Sequence, residues 1–261
     1  MGITNLKEHL LRDYRQIPSA IFDFFFPDHL TCYFCEAELP PGHMDHICVA
    51  CSQQIETLPE RCCVKCGKPI ELAYAQHADY FFKCKECQEQ FAYYYKHRYF
   101  TYYEGGVKNA LIGLKYKRQI YQARYFGVRL AAMIKADMDL SRFDLIVPVP
   151  VHFLRRFSRG YNQAEVLAHQ ISKQLRCPKP VEILARKRKT KKLKNLGRSS
   201  RKTMLENAIM VKRHAIPELK DKRILIVDDI FTTGATLNAC AKALYEAGSA
   251  EVMSVTVARG R

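Results

Sequence analysis

Residues 224–227 are four consecutive apolar positions, Ile-Leu-Ile-Val, after which polarity returns with two aspartates. A run that is apolar at every position, not at alternate ones, fits a strand covered on both faces, as in a parallel sheet. Past it, Leu237, Cys240, Ala241 and Leu244 recur at helical spacing until Gly248 supplies a C-terminal stop. Similar short apolar runs predict strands at 145–147, 181–185, 208–211 and 251–258, and the aromatic stretch 91–103 is dense in strand formers. Helices are predicted over 104–117, with Val107, Leu111 and Leu114 facing inward, over 119–136 and over 164–175. Strands alternating with helices give an α/β class, a parallel sheet flanked by helices. The front of the chain differs. Residues 3–16 predict a short amphipathic helix with Leu6, Leu10 and Tyr14 on one face, closed by Pro18, and Phe22, Phe24, Phe25 and Phe26 form an anchor for a neighbouring element.

Between that anchor and the sheet the pattern is set by cysteine. Cys32 and Cys35, Cys48 and Cys51, Cys63 and Cys66, and Cys84 and Cys87 are four C-x2-C pairs. Each pair aims two thiolates at one metal from a single tight turn, and two pairs complete a tetrahedral sulfur shell that suits zinc. Eight ligands predict two structural zincs. Sequential pairing would give two stacked ribbons and interleaved pairing a cross-braced fold; the spacing allows both. Closed four-thiolate sites keep no open position, so these ions fold the chain and do no chemistry. Cys62, Cys177 and Cys240 are bystanders, and His43, His46 and His77 are surface residues in this reading.

The stretch after the central strand carries the candidate binding chemistry. Asp228 and Asp229 close the apolar run, and Thr232, Thr233, Gly234, Ala235 and Thr236 precede the helix. Small and hydroxyl residues at a helix N-terminus offer amide and hydroxyl donors and the positive end of the dipole to a phosphate monoester. Gly234 lets backbone and phosphate approach closely. The aspartates would repel a phosphate and are better placed as acceptors for two ribose hydroxyls. The inferred ligand is a sugar phosphate with a vicinal diol; the plain alternative is a turn whose Asp and Thr residues only cap the helix.

Charge widens the list of partners. The 261-residue chain is 48% hydrophobic, enough for a core, and carries a formal net charge of +16. That excess points to an anionic partner, nucleic acid first, over a merely basic surface. Residues 186–202 hold ten basic residues and no acidic one, the composition of a solvated loop able to meet a DNA backbone. Arg155, Arg156 and Arg159, near a helix start, suit a pyrophosphate or polyphosphate. The tyrosines interleaved with Lys96, Arg98, Lys115 and Lys117 either stack bases or form a hinge strand packed between domains. No run reaches the ~20 apolar residues of a membrane span, and the charged N-terminus is no secretory signal. A cytoplasmic location with reduced or metal-bound cysteines is expected.

The string VDDIFTTGAT at 227–236 resembles the phosphoribosyl pyrophosphate (PRPP) signature of type I phosphoribosyltransferases. The resemblance implies that Asp228 and Asp229 contact the ribose hydroxyls and that Thr232, Thr233, Gly234, Ala235 and Thr236 hold the 5-phosphate. It also implies that Pro148, Val149 and Pro150 lie in the loop embracing the pyrophosphate, with Mg2+ accompanying PRPP. The cysteine pairs, LKY at 114–116, VPVP at 147–150, RRxxRGYNQAE at 155–165 and VDDxxTTGAT, in that order, resemble the ComF competence family from about residue 27 onward. What this implies is a type I phosphoribosyltransferase-like parallel sheet over 91–261, a double zinc ribbon over 30–90 and an N-terminal helix and anchor over 1–29. It further implies a cytoplasmic protein of natural transformation that binds PRPP and acts on single-stranded DNA; by their charge, Arg155, Arg156, Arg159, Arg186, Lys187, Arg188, Lys189, Lys191 and Lys192 are the candidate DNA contacts. Other DNA-uptake or recombination proteins are further candidate partners. The alternatives are an active phosphoribosyltransferase with an unidentified acceptor and a DNA-binding regulator whose sheet has lost its ligand. Where family members usually carry a glutamine and an asparagine in the basic loop, this chain has Leu193 and Met204.

Overall fold

The computed structural model describes residues 31–40, 46–57, 61–70, 82–138, 143–177, 179–186 and 208–261. The predicted N-terminal helix and aromatic anchor, His43 and His77, and the basic run from Lys187 on, with Lys187, Arg188, Lys189, Lys191, Lys192, Leu193 and Met204, lie outside the described residues. The chain divides into two compact units, Met1–Ser52 and Gln53–Arg261.

In the first unit, residues 31–40 form a cysteine knuckle. The Cys32 amide donates to Ala37 O at 2.7 Å, the Glu36 amide donates to Cys32 O at 2.8 Å, and an antiparallel bridge joins Thr31 to Glu38. The short helix α1 (Val49–Gln53) follows. Tyr33 stacks on His46 with ring centroids 5.0 Å apart.

The second unit opens with the same device. The Cys63 amide donates to Lys68 O at 2.8 Å, the Gly67 amide donates to Cys63 O at 2.9 Å, and Cys62 bridges Pro69. After α2 (Lys85–Glu89) come β1 (Lys96–Tyr102), α3 (Gly105–Tyr116), α4 (Gln122–Asp137), β2 (Leu145–Pro148), α5 (Phe153–Arg159), α6 (Gln163–Leu175), β3 (Leu184–Arg186), β4 (Ile209–Val211), a 3-10 helix (Arg213–Leu219), β5 (Arg223–Phe231), α7 (Ala235–Glu246) and β6 (Glu251–Arg259). Four strands make one parallel sheet in the order β1-β6-β5-β2, and β3 and β4 pair antiparallel beside it. The apolar run Ile224, Leu225, Ile226 and Val227 is fully buried, because β5 is flanked by strands on both edges and covered by helices on both faces.

Several boundaries differ from the sequence reading. β5 does not stop at the aspartates: Asp228 pairs with Thr256 and the strand continues to Phe231. A neighbouring strand that offers its ladder groups outweighs the local polarity. Residues 153–159 form a helix of their own, α5, before Gly160, at φ 84, turns the chain into α6. The expected strands at 181–185 and 208–211 are shorter, and together they form the small hairpin sheet that flanks the basic run.

Candidate functional site

Each cysteine tetrad is assembled from consecutive pairs. Cys32, Cys35, Cys48 and Cys51 form one group, and Cys63, Cys66, Cys84 and Cys87 the other, with all sulfurs of a group within 4.8 Å of one another. The pairing is therefore sequential. A tetrahedral ion with metal–sulfur bonds of about 2.3 Å sets its sulfurs roughly 3.8 Å apart, and Cys35 and Cys48 Sγ lie 3.7 Å apart, Cys66 and Cys84 Sγ 3.6 Å. Backbone amides point at the sulfurs as they would at thiolates: Cys48 N donates to Cys32 Sγ at 3.3 Å and Cys84 N to Cys63 Sγ at 3.3 Å. Thiol hydrogen bonds from Cys66 and Cys87, against the effect of burial, hold Cys63 far below the ordinary thiol range. Both tetrads could hold a zinc ion.

The second candidate site lies at the carboxyl ends of β2 and β5. Pro148 pairs with Val227, and the Val149 amide donates to Val227 O at 2.9 Å, so the VPVP turn leaves the sheet beside the aspartates. Side chains alternate along a strand, which puts Asp228 on the face of Ile224 and Ile226 and Asp229 on the opposite one. Asp228 Oδ1 accepts the Asp229 amide at 2.9 Å. Burial first, then the Asp229 charge, push the Asp228 carboxyl up to about 8. Asp229 is buried and its Oδ2 lies 2.8 Å from Lys115 Nζ at the end of α3.

Four residues on, the chain turns into α7. Gly234 caps the helix at φ 75, and a Cβ there would lie 2.9 Å from the Phe231 ring, so only glycine fits both the angle and the space. Thr232 and Thr233 are exposed and Thr236 is half-buried; the turn is not filled by its own side chains. Thr233 Oγ1 accepts the Ala235 amide at 3.4 Å.

The RGYNQ segment holds this arrangement in place. Asn162 Oδ1 accepts the Ala164 amide at 3.1 Å, capping α6, while its Nδ2 donates to Val149 O at 3.0 Å and ties the VPVP turn to that helix. The Tyr161 hydroxyl donates to Leu114 O and fixes the end of α3. A cavity of about 200 Å³ opens beside the turn, lined by Pro148, Pro150, Arg156, Glu182, Arg186 and Lys212 among others.

A family model described as phosphoribosyl transferase domain matches residues 161–261. Over 239 residues, 88% of this chain and 97% of the other, the sequence is 30% identical to Competence protein F of Haemophilus influenzae. The chain belongs to the ComF competence family. Other ComF relatives are the DNA utilization protein YhgH of Escherichia coli K12, 29% identical over 85% of this chain and 93% of that protein, and Competence protein ComFC of Bacillus subtilis, 24% identical over 82% and 85%. A solved chain titled as the allosteric regulatory enzyme of purine biosynthesis aligns with 51% of this chain and 25% of its own length, at 18% identity and a TM-score of 0.33. As in the resemblance read from the motifs, this ComF chain joins cysteine tetrads to a parallel sheet carrying a phosphoribosyltransferase domain.

The structure gathers Pro148, Val149, Pro150, Asp228 and Asp229 at one edge of the sheet, with the turn 232–236 following directly. Of the arginines assigned to DNA, Arg155 is exposed, while Arg156 pairs with Glu182 at 2.6 Å. Arg159 donates to Gln163 Oε1 at 3.0 Å and lies 4.7 Å over the Tyr116 ring. Arg186 ends β3 and lines the cavity. Lys96 and Arg98 both pair with Asp137, at 2.9 and 2.7 Å, which favours the packed strand over base stacking for that stretch. The sequence reading missed Lys115, Tyr161 and Asn162 as members of the site. A signal for Lys115 was present: Val107, Leu111 and Lys115 are spaced by four, so the lysine continues the inward stripe of α3. No described helix is long and apolar enough to cross a membrane.

Proposed function

We propose that this ComF protein binds PRPP with Mg2+ at the carboxyl ends of β2 and β5 and single-stranded DNA through its basic surface, and that it serves DNA uptake in the cytoplasm during natural transformation. The observation that carries the ligand is the unfilled turn 232–236 at the N-terminus of α7, next to an acidic pair and the VPVP turn. Thr232, Thr233, Gly234, Ala235 and Thr236 hold the 5-phosphate with amides, hydroxyls and the helix dipole. Asp228 and Asp229 accept ribose hydroxyls, and the backbone of 148–150 borders the pyrophosphate. Mg2+ supplies neutralisation of the pyrophosphate charge. Zinc in each tetrad holds its knuckles folded. Exposed Arg155 and the run 186–192 meet the DNA backbone.

The test is thermal stabilisation by millimolar PRPP with Mg2+, which saturating ligand raises and which Asp228→Ala with Asp229→Ala abolishes. No shift in the unsubstituted protein would reject the ligand. A second reading, transfer of the phosphoribosyl group to an acceptor, is favoured by the cavity lined with Arg156, Glu182, Arg186 and Lys212. Pyrophosphate release during an acceptor screen separates it from binding alone.

A further inference from the structure

Lys115 is an unusual cation for a helix that otherwise buries its inward stripe. Its side chain is 17% exposed and that of Asp229 12%, and the two meet at 2.8 Å. It is also set rigidly. The residue before it, Leu114, is fully buried and gives its carbonyl to Tyr161. The helix turn that carries it is closed by the Lys117 amide donating to Gly113 O at 2.9 Å. At Gly113 a Cβ would fall 1.9 Å from Gln119 Oε1, so the helix backbone there is covered by the Gln119 and Gln122 side chains. An ammonium held this way is part of the site's construction and not a surface charge that happens to fold inward.

The electrostatic need for it follows from the ligand class. A carboxylate beside the site repels a ligand carrying a phosphate and a pyrophosphate, and the repulsion is strong where water is scarce. Lys115 and Arg186 are both cations near Asp228, but Arg186 sits at the end of β3, whereas Lys115 is bonded directly to Asp229.

Resting on the PRPP reading above, we propose that Lys115 is a positioning residue of the phosphoribosyl site: its ammonium compensates Asp229, so that the anionic ligand does not meet that carboxylate as a bare charge. By occupying Oδ2 it also directs a ribose hydroxyl to Oδ1. The role belongs to the charge and not to the hydrogen bond, since a neutral donor would hold Oδ2 as well.

The experiment is calorimetric titration of the full-length, zinc-loaded protein with PRPP and Mg2+. Lys115→Met weakens binding by on the order of tenfold or more, Lys115→Arg recovers most of that loss, and Lys115→Met added to Asp229→Asn costs less than it does alone, because no carboxylate remains to compensate. Should Lys115→Met not fold, Lys115→Gln takes its place and shows the same loss, as it keeps a donor without the charge. Affinity within twofold of the unsubstituted protein in a folded Met or Gln variant overturns the proposal, and so does an Arg variant as weak as Met. If the unsubstituted protein itself takes up no PRPP, the ligand reading has failed, which is a different outcome from a binding protein indifferent to Lys115.

Discussion

Glu36 and Gly67 hold the same place in the two knuckles, one residue past the second cysteine of each turn, and both are left-handed, at φ 62 and φ 70. Glycine adopts that conformation freely, while a side chain costs about 1 kcal/mol there. Glu36→Gly is therefore expected to stabilise the first metal site by about 1 kcal/mol, seen as a higher chelator concentration needed to strip it, and Gly67→Ala to weaken the second by a similar amount. Asp228 gives a prediction in pH. An ordinary aspartate ionises near 4, but here burial and Asp229 push the carboxyl up to about 8. Between those values the folded chain keeps a proton that the unfolded chain has lost. The stability tied to that proton is complete below about pH 4, falls as pH rises and is gone above about pH 8. Asp228→Asn cannot ionise, so in urea unfolding the gap between variant and unsubstituted protein should grow in the variant's favour from about pH 5 to about pH 8; parallel profiles would refute the shift.

At the scale of elements, the second knuckle is fastened to the edge of the sheet. The His97 amide donates to Lys65 O at 2.6 Å, Arg98 Nη1 to Val64 O at 3.1 Å, and Arg259 Nη1 to Cys66 O at 3.0 Å, with the Arg259 guanidinium 4.9 Å over the Phe231 ring. Arg98 is 4% exposed and also pairs with Asp137. Arg98→Met removes one of the two cations on Asp137 and the side-chain donor to the carbonyls of Cys63, Val64 and His97, and is expected to cost about 2 kcal/mol in urea unfolding. The same fastening couples metal to sheet: stripping the ion from the second tetrad, or Cys63→Ser, should lower the melting temperature of the α/β unit. Circular dichroism and a zinc-release dye should then report one transition; two separate ones would show that the knuckle melts on its own. The strand formers of 91–103 and the cysteine spacing were both legible in the sequence. That an arginine of the strand would read the knuckle's carbonyls was not, because nothing local distinguishes a buried Arg98 from a solvated one.

For the whole molecule, charge is the property that reaches farthest. With a net +16, oligonucleotide binding should weaken steeply with salt, by about 0.7 in logarithmic slope for each phosphate contact on a single strand. Replacing Lys187, Arg188, Lys189, Lys191 and Lys192 with glutamine should reduce that slope in filter-binding or anisotropy titrations. An unchanged slope would place the contact surface elsewhere.

Period and composition carried the strands, the helices, the cysteine pairs and the strand-turn-helix at 224–246, because each depends on residues close in the chain whose burial or backbone angle the sequence dictates directly. The extension of β5 past its aspartates, the sequential grouping of the tetrads, the alignment of Pro148 with Val227 and the meeting of Lys115 with Asp229 came only with the tertiary structure. Each of those joins groups far apart in sequence, and which distant partner satisfies a ladder amide, a thiolate or a buried carboxylate is decided by how the sheet is ordered and where its helices land.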